Sequence, residues 1–309
     1  MLPAAAGMAL CLLLLAAAPS RLARAAWPAR APATALMLWQ ALGLVVGVLA
    51  IEVALTVALA PAGPTHAAAA AALLRGTAGP LPWWSPVAFA VALLLFARLL
   101  SVLLGSLVRT LRSRRRHRVL VDLVATRNPL LAGARVVDHE VPTAYCLPGL
   151  RPRVVLSRGV LDLLSDQEVR AVLAHETAHV EQRHDLVVLP FVALGATFPR
   201  LSGVRVAQQQ VALLVEMLAD DRAVRRHSPA VLARALYKVG GAQLPVGMGG
   251  VGTGGSLAAG AGVLPRAARL VCPPAPLGTV AWASVVLATA VILLLPVLGL
   301  VLPDLVRAG

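Results

Sequence analysis

The stretch Ser165–Arg183, SDQEVRAVLAHETAHVEQR, decides how the chain is read. Ser165 followed three residues later by Glu168 is the spacing of a capping box, in which two orphan N–H groups at a helix start are satisfied reciprocally. Val169, Val172, Leu173 and Val180 then supply part of an apolar stripe, so a helix is expected over Asp166 to Arg183. On it lies His175-Glu176-Thr177-Ala178-His179, an HExxH motif. Residues four apart share one helix face, so both imidazoles can reach a single metal ion. Glu176 sits beside that position without having to ligate, which leaves it available as a general base.

Two histidines are too few for a catalytic zinc ion, which takes three protein ligands and keeps one position open. His184 lies five residues past His179, and the HExxHxxGxxH arrangement would need Gly and His where this chain has Gln182 and Asp185. The better third ligand is Glu216, in Glu216-Met217-Leu218-Ala219-Asp220. A second helix is expected over Val206 to Val224, with Glu216 and Asp220 one turn apart on one face. Glu216 can then ligate while Asp220 accepts a hydrogen bond from a ligand histidine. One Zn2+ per chain is expected, held by His175, His179 and Glu216.

Outside this segment the composition is that of a membrane protein. Of 309 residues, 59% are hydrophobic and 14% charged, against about a quarter charged in an ordinary soluble domain. Four stretches approach the roughly 20 apolar residues that a crossing helix needs, at about 2–18, 36–60, 86–108 and 280–302. The first is read as an anchor rather than a cleaved signal, because Arg21, Arg24 and Arg30 follow its apolar run and none precedes it. The run Arg109, Arg112, Arg114, Arg115, Arg116 and Arg118 follows the third span and should be cytoplasmic, while loop 61–85, with Arg75 alone, should be external. The run has no interleaved aromatics and abuts a span, so no direct nucleic-acid partner is expected. Cys11, Cys146 and Cys272 are odd in number and widely spaced, which excludes a disulfide framework.

The expected organisation is a membrane region over 1–118, a peptidase domain over 119–245, a Gly-rich linker over 246–279, and a fourth span with a short tail over 280–309. The stretch Gly247 to Gly262 lacks hydrophobic periodicity and should be flexible. The fold class is a mainly α membrane protein with about four transmembrane helices and an inserted α+β, gluzincin-like, cytoplasmic zinc peptidase domain. Segment 186–199 is apolar but short and holds Pro190 and Pro199; a single crossing there would part Glu216 from the histidines, so it should lie at the interface or against the spans. Glu52 and Arg98, inside the second and third spans, should either pair or snorkel separately.

Ala144-Tyr145-Cys146-Leu147-Pro148-Gly149, Pro152-Arg153-Val154-Val155-Leu156-Ser157 and Val172-Leu173-Ala174-His175-Glu176, with the ExxAD element Glu216 to Asp220, resemble the BlaR/MecR-type integral-membrane metallopeptidases. The order of spans, three before the domain and one after, is similar too. The resemblance implies zinc on His175, His179 and Glu216 and catalysis by Glu176. It also implies a signalling role, in which the peptidase cleaves itself or a cytoplasmic transcriptional repressor. Antibiotic-sensing members carry an external penicillin-binding domain after the last span, and this chain ends at Gly309, so antibiotic sensing is not expected. The expected protein is thus a multi-pass cell-membrane zinc endopeptidase with the lipid bilayer and a protein substrate as partners.

Two other readings compete. One is a quality-control or processing peptidase of the HtpX or CAAX-processing kind, which shares HExxH and ExxxD. The other is a membrane scaffold with an unused site. Arg153 to Ser157 reads as a strand, either a sheet edge that binds an extended peptide or an interior strand. Tyr145, Arg222 and His227 are the candidates for stabilising the oxyanion.

Overall fold

In the computed structural model, residues 1–127, 134–147, 153–242 and 262–308 are described. Among the described residues, four helices are long and apolar enough to cross a membrane: α1 (Leu2–Leu22), α2 (Pro32–Leu59), the first 30 residues of α4 (Trp84–Val124), and α11 (Thr279–Ala308) over Thr279–Val301. A short α3 (His66–Leu74) lies between α2 and α4. The span in α4 does not stop at the basic run. It continues as helix to Val124, where Ala125 turns to extended backbone.

After α4 comes a four-stranded sheet, β1 (Thr126–Arg127), β2 (Arg135–Val137), β3 (Ala144–Leu147) and β4 (Arg153–Ser157), in the order β1-β2-β4-β3. β4 pairs parallel with β2 and antiparallel with β3, so it is interior and cannot take a peptide by strand addition. The edge strands are β1 and β3, and β3 is the one that packs on α6 (Asp166–Glu181). Leu156 of β4 packs with Val169 and Val172 of α6, fastening the sheet to the HExxH helix through α5 (Arg158–Leu163).

The start of α6 is fixed by the capping box. Ser165 Oγ accepts from the Glu168 N–H, and the Glu168 carboxylate accepts from the Ser165 N–H at 2.8 Å. The same carboxylate oxygen meets Lys238 Nζ at 2.8 Å, tying α6 to α9 (Pro229–Ala242). Burial opposes ionisation of Glu168, but Lys238 and Ser165 outweigh it and hold the carboxyl below its ordinary range. A depressed folded pKa adds stability above the unfolded pKa, and that stability fades as pH falls through the folded one. Glu168→Ala is therefore expected to cost about 1–2 kcal/mol at neutral pH, since Lys238 can still reach water. The deficit should shrink as thermal melts are repeated at pH values below the ordinary glutamate range.

Two further helices connect this unit to the spans. α7 (His184–Thr197) has 14 residues, about 21 Å at 1.5 Å per residue, short of the roughly 30 Å hydrocarbon core. It packs on α2 and α4, with Phe191 buried beside Trp39 and Leu42. α8 (Ser202–Ala223) returns alongside it, burying Val211, Leu214 and Val215 in the same cluster. The pair thus leaves and rejoins one face of the bundle, and Glu216 arrives on the side where α6 lies. Glu52 does not pair with Arg98. Among the described residues its buried carboxylate has no hydrogen-bond partner, and it lies where a Cβ on Gly299 of α11 would be, whereas Arg98 is exposed on α4.

The Gly-rich stretch from Gly247 to Gly262 lies, apart from Gly262, outside the described residues. Within the range read as linker, Val263–Val271 forms a further helix, α10.

Candidate metal centre

α6 places His175 and His179 one turn apart with Glu176 next to His175, and α8 brings Glu216 and Asp220 up to them. His175 Nε2 lies 3.2 Å from His179 Nε2. Glu216 Oε2 is 3.4 Å from His175 Nε2, and Oε1 is 3.5 Å from His179 Nε2. Bonds of about 2.0–2.1 Å at tetrahedral angles would put neighbouring ligand atoms roughly 3.3–3.4 Å apart. The three donors therefore already lie at the edge length of a zinc tetrahedron, and two imidazoles with one carboxylate suit that ion. Residues and metal fit.

His175 Nδ1 is 2.9 Å from Asp220 Oδ1, an ion-pair contact. Burial disfavours a charged His175, yet Asp220 and Glu216 outweigh it and push the imidazole up to about 10. Burial brings His179 down to about 3. Burial works against the Glu216 carboxylate as well, but His175 and Arg266 hold it well below the usual carboxylate range.

Arg266 escaped sequence reasoning. It comes from α10 and is 5% exposed. Its guanidinium grips Asp220 through Nε to Oδ2 and Nη2 to Oδ1, both at 2.8 Å, and places Nη1 2.8 Å from Glu216 Oε2. One turn on, Arg269 makes the same kind of fork on Asp221 and donates to the Ala29 carbonyl before α2. The signal was present as charge pattern: two arginines three apart in α10 match Glu216, Asp220 and Asp221 in α8. Nothing local, however, joins helices separated by a Gly-rich stretch.

Glu176 points beside the donors rather than among them. The Cys146 backbone N–H of edge strand β3 bonds to its carboxylate, while burial and the Glu216 charge push its pKa up to about 7. A carboxyl poised near neutrality can take a proton and give it back. Of the residues considered for the oxyanion, Arg222 is engaged with Glu181 at 3.1 Å. Tyr145 follows Ala144 on β3, next to Cys146, and His227 lies just past α8.

Residues 110–235 match the model of peptidase family M48. The chain is similar to the protease HtpX homologue of Aquifex aeolicus (strain VF5), 34% identical over 74 residues, covering 23% of this chain and 24% of that one. It is similar to the HtpX homologue of Persephonella marina, 33% identical over 90 residues, covering 27% and 31%. The plastoglobule-localized metallopeptidase 48 of Arabidopsis thaliana, a chloroplast protein, is 29% identical over 136 residues, 40% of each chain. The chain thus spans about a quarter to two fifths of the length of these relatives. No solved structure matches it. Over residues 110–235 the chain is thus similar to M48 metallopeptidases, and four helices among its described residues are long and apolar enough to cross a membrane.

Proposed function

We propose that the chain is a membrane zinc endopeptidase in which His175, His179 and Glu216 hold one zinc ion and Glu176 is the general base. The observation that carries this reading is the spacing of 3.2–3.5 Å among the three donors, with a near-neutral carboxyl beside them. Bound there, zinc would supply Lewis-acid polarisation of the scissile carbonyl and acidify water. Glu176 takes the proton of the attacking water and delivers it to the departing amine. Asp220 holds His175 with Nε2 turned inward. Edge strand β3 runs beside Glu176, so an extended peptide added there has its backbone within reach of the base.

The test needs no substrate. Purified wild-type chain should carry about one zinc per molecule, and His179→Ala and Glu216→Ala should lose it or bind it far more weakly. Zinc absent from carefully prepared wild type, or indifferent to both changes, would return the chain to the scaffold reading.

On arginine placement the site faces the cytoplasm. The motifs and order of spans favour a signalling peptidase that cleaves itself or a cytoplasmic repressor. The HtpX relatives favour a processing or quality-control peptidase. Comparing new protein N-termini in cells with wild type or Glu176→Gln separates the two. A cut repressor, or a cut in this chain, supports the first; cuts spread over many membrane proteins support the second.

A further inference from the structure

His184 was set aside as a ligand because a residue five positions past His179 leaves the helix face. The chain brings it back by another route. Past Gln182, the C-cap of α6, Arg183 is the one non-glycine among the described residues with positive φ (51°), and from this left-handed N-cap α7 starts at His184. The turn folds the imidazole back under the site, where it is 4% exposed. His184 Nδ1 then lies 3.0 Å from His179 Nδ1, and His184 Nε2 lies 2.9 Å from Gln182 Oε1.

These two contacts set a direction for the protons. An amide oxygen can only accept, so the proton of a neutral His184 belongs on Nε2, donated to Gln182. His184 Nδ1 is then a lone pair and must accept from His179 Nδ1–H. With its proton on Nδ1, His179 presents a bare Nε2 toward His175 and Glu216. The opposite tautomer of His184 would put a proton on His179 Nε2, where a metal ion has to bind. Behind His175 stands the Asp220 carboxylate, 2.9 Å from Nδ1; behind His179 stands the neutral imidazole of His184.

We infer that His184, oriented by Gln182, is a positioning residue that fixes the tautomer and ring direction of His179 for metal binding. The inference rests on the zinc-site reading above. Support behind a metal-bound histidine is commonly worth 10–100-fold in metal affinity.

The experiment is chelator competition for zinc on the full-length chain in detergent, with thermal melts of the metal-free protein alongside. His184→Leu should bind zinc about 10–100-fold more weakly. His184→Asn, whose amide oxygen can stand where Nδ1 now is, should stay within about threefold of wild type. His184→Gln, whose amide group reaches the Nε2 position instead, should fall with Leu. Wild-type affinity in His184→Leu, or Asn as weak as Leu, overturns the inference. If the Leu variant does not fold, the Asn and Gln variants decide, and equal affinity in those two overturns it. Wild type that binds no zinc removes the site reading itself, and the role of His184 with it.

Discussion

Glu176→Gln is expected to keep one zinc per chain and lose peptide cleavage by about 10²–10⁴-fold, the usual contribution of a general base. Gln is nearly isosteric and can still take the Cys146 N–H, so neither α6 nor the three donors should move. It cannot accept a proton from water. The pH profile adds a second check. Glu176 stands at about 7 because burial and Glu216 disfavour its charge, and a bound dication would favour that charge and lower the value. Activity should thus rise with pH along an acid limb centred at or below about 7, because only the ionised form is a base. Casein hydrolysis in detergent measures both, and cleavage by the Gln variant at more than a tenth of the wild-type rate would remove Glu176 from its role.

Arg266→Leu should be the most destabilising change at the site. In the metal-free chain it removes the guanidinium that Asp220 and Glu216 share, leaving His175 alone against the two carboxylates. Breaking a buried pair from one side costs about 3–5 kcal/mol, because the remaining charge is left without compensation. It also unties α10 from α8, leaving the Arg269–Asp221 fork to hold the two together. Zinc would replace part of the lost positive charge, so the melting temperature should drop more in the metal-free protein than in the loaded one. Adding Asp220→Asn to Arg266→Leu should recover stability, since it removes the orphaned charge. Two contacting residues need not add, and additive losses here would show that the pair is not coupled.

Some of this was legible before any tertiary contact was known, because it depends on neighbours in the chain. Apolar runs of membrane length follow from composition, and all four recur as helices long enough to cross, with ends shifted by a few residues. The capping box is a three-residue relationship and forms as spaced. The i,i+4 rule puts His175 and His179 on one face, and the same rule joins Glu216 to Asp220. That α6 and α8 meet could be guessed only because two histidines need a third ligand.

What the tertiary structure alone decided are relations with no local signature. β4 read equally well as an edge or an interior strand, and pairing with β2 and β3 made it interior, leaving β3 at one edge with its Cys146 N–H turned to Glu176. His184 had the wrong spacing for a helix face, and a single left-handed residue gave it a place behind His179. Arg266 lay in a range read as linker, and it reached Asp220 only because α10 packs across α8 and α9. Helical period and residue type act over a few positions and can be counted along the sequence. A buried charge or imidazole finds its partner wherever burial makes solitude costly, at any separation in the chain.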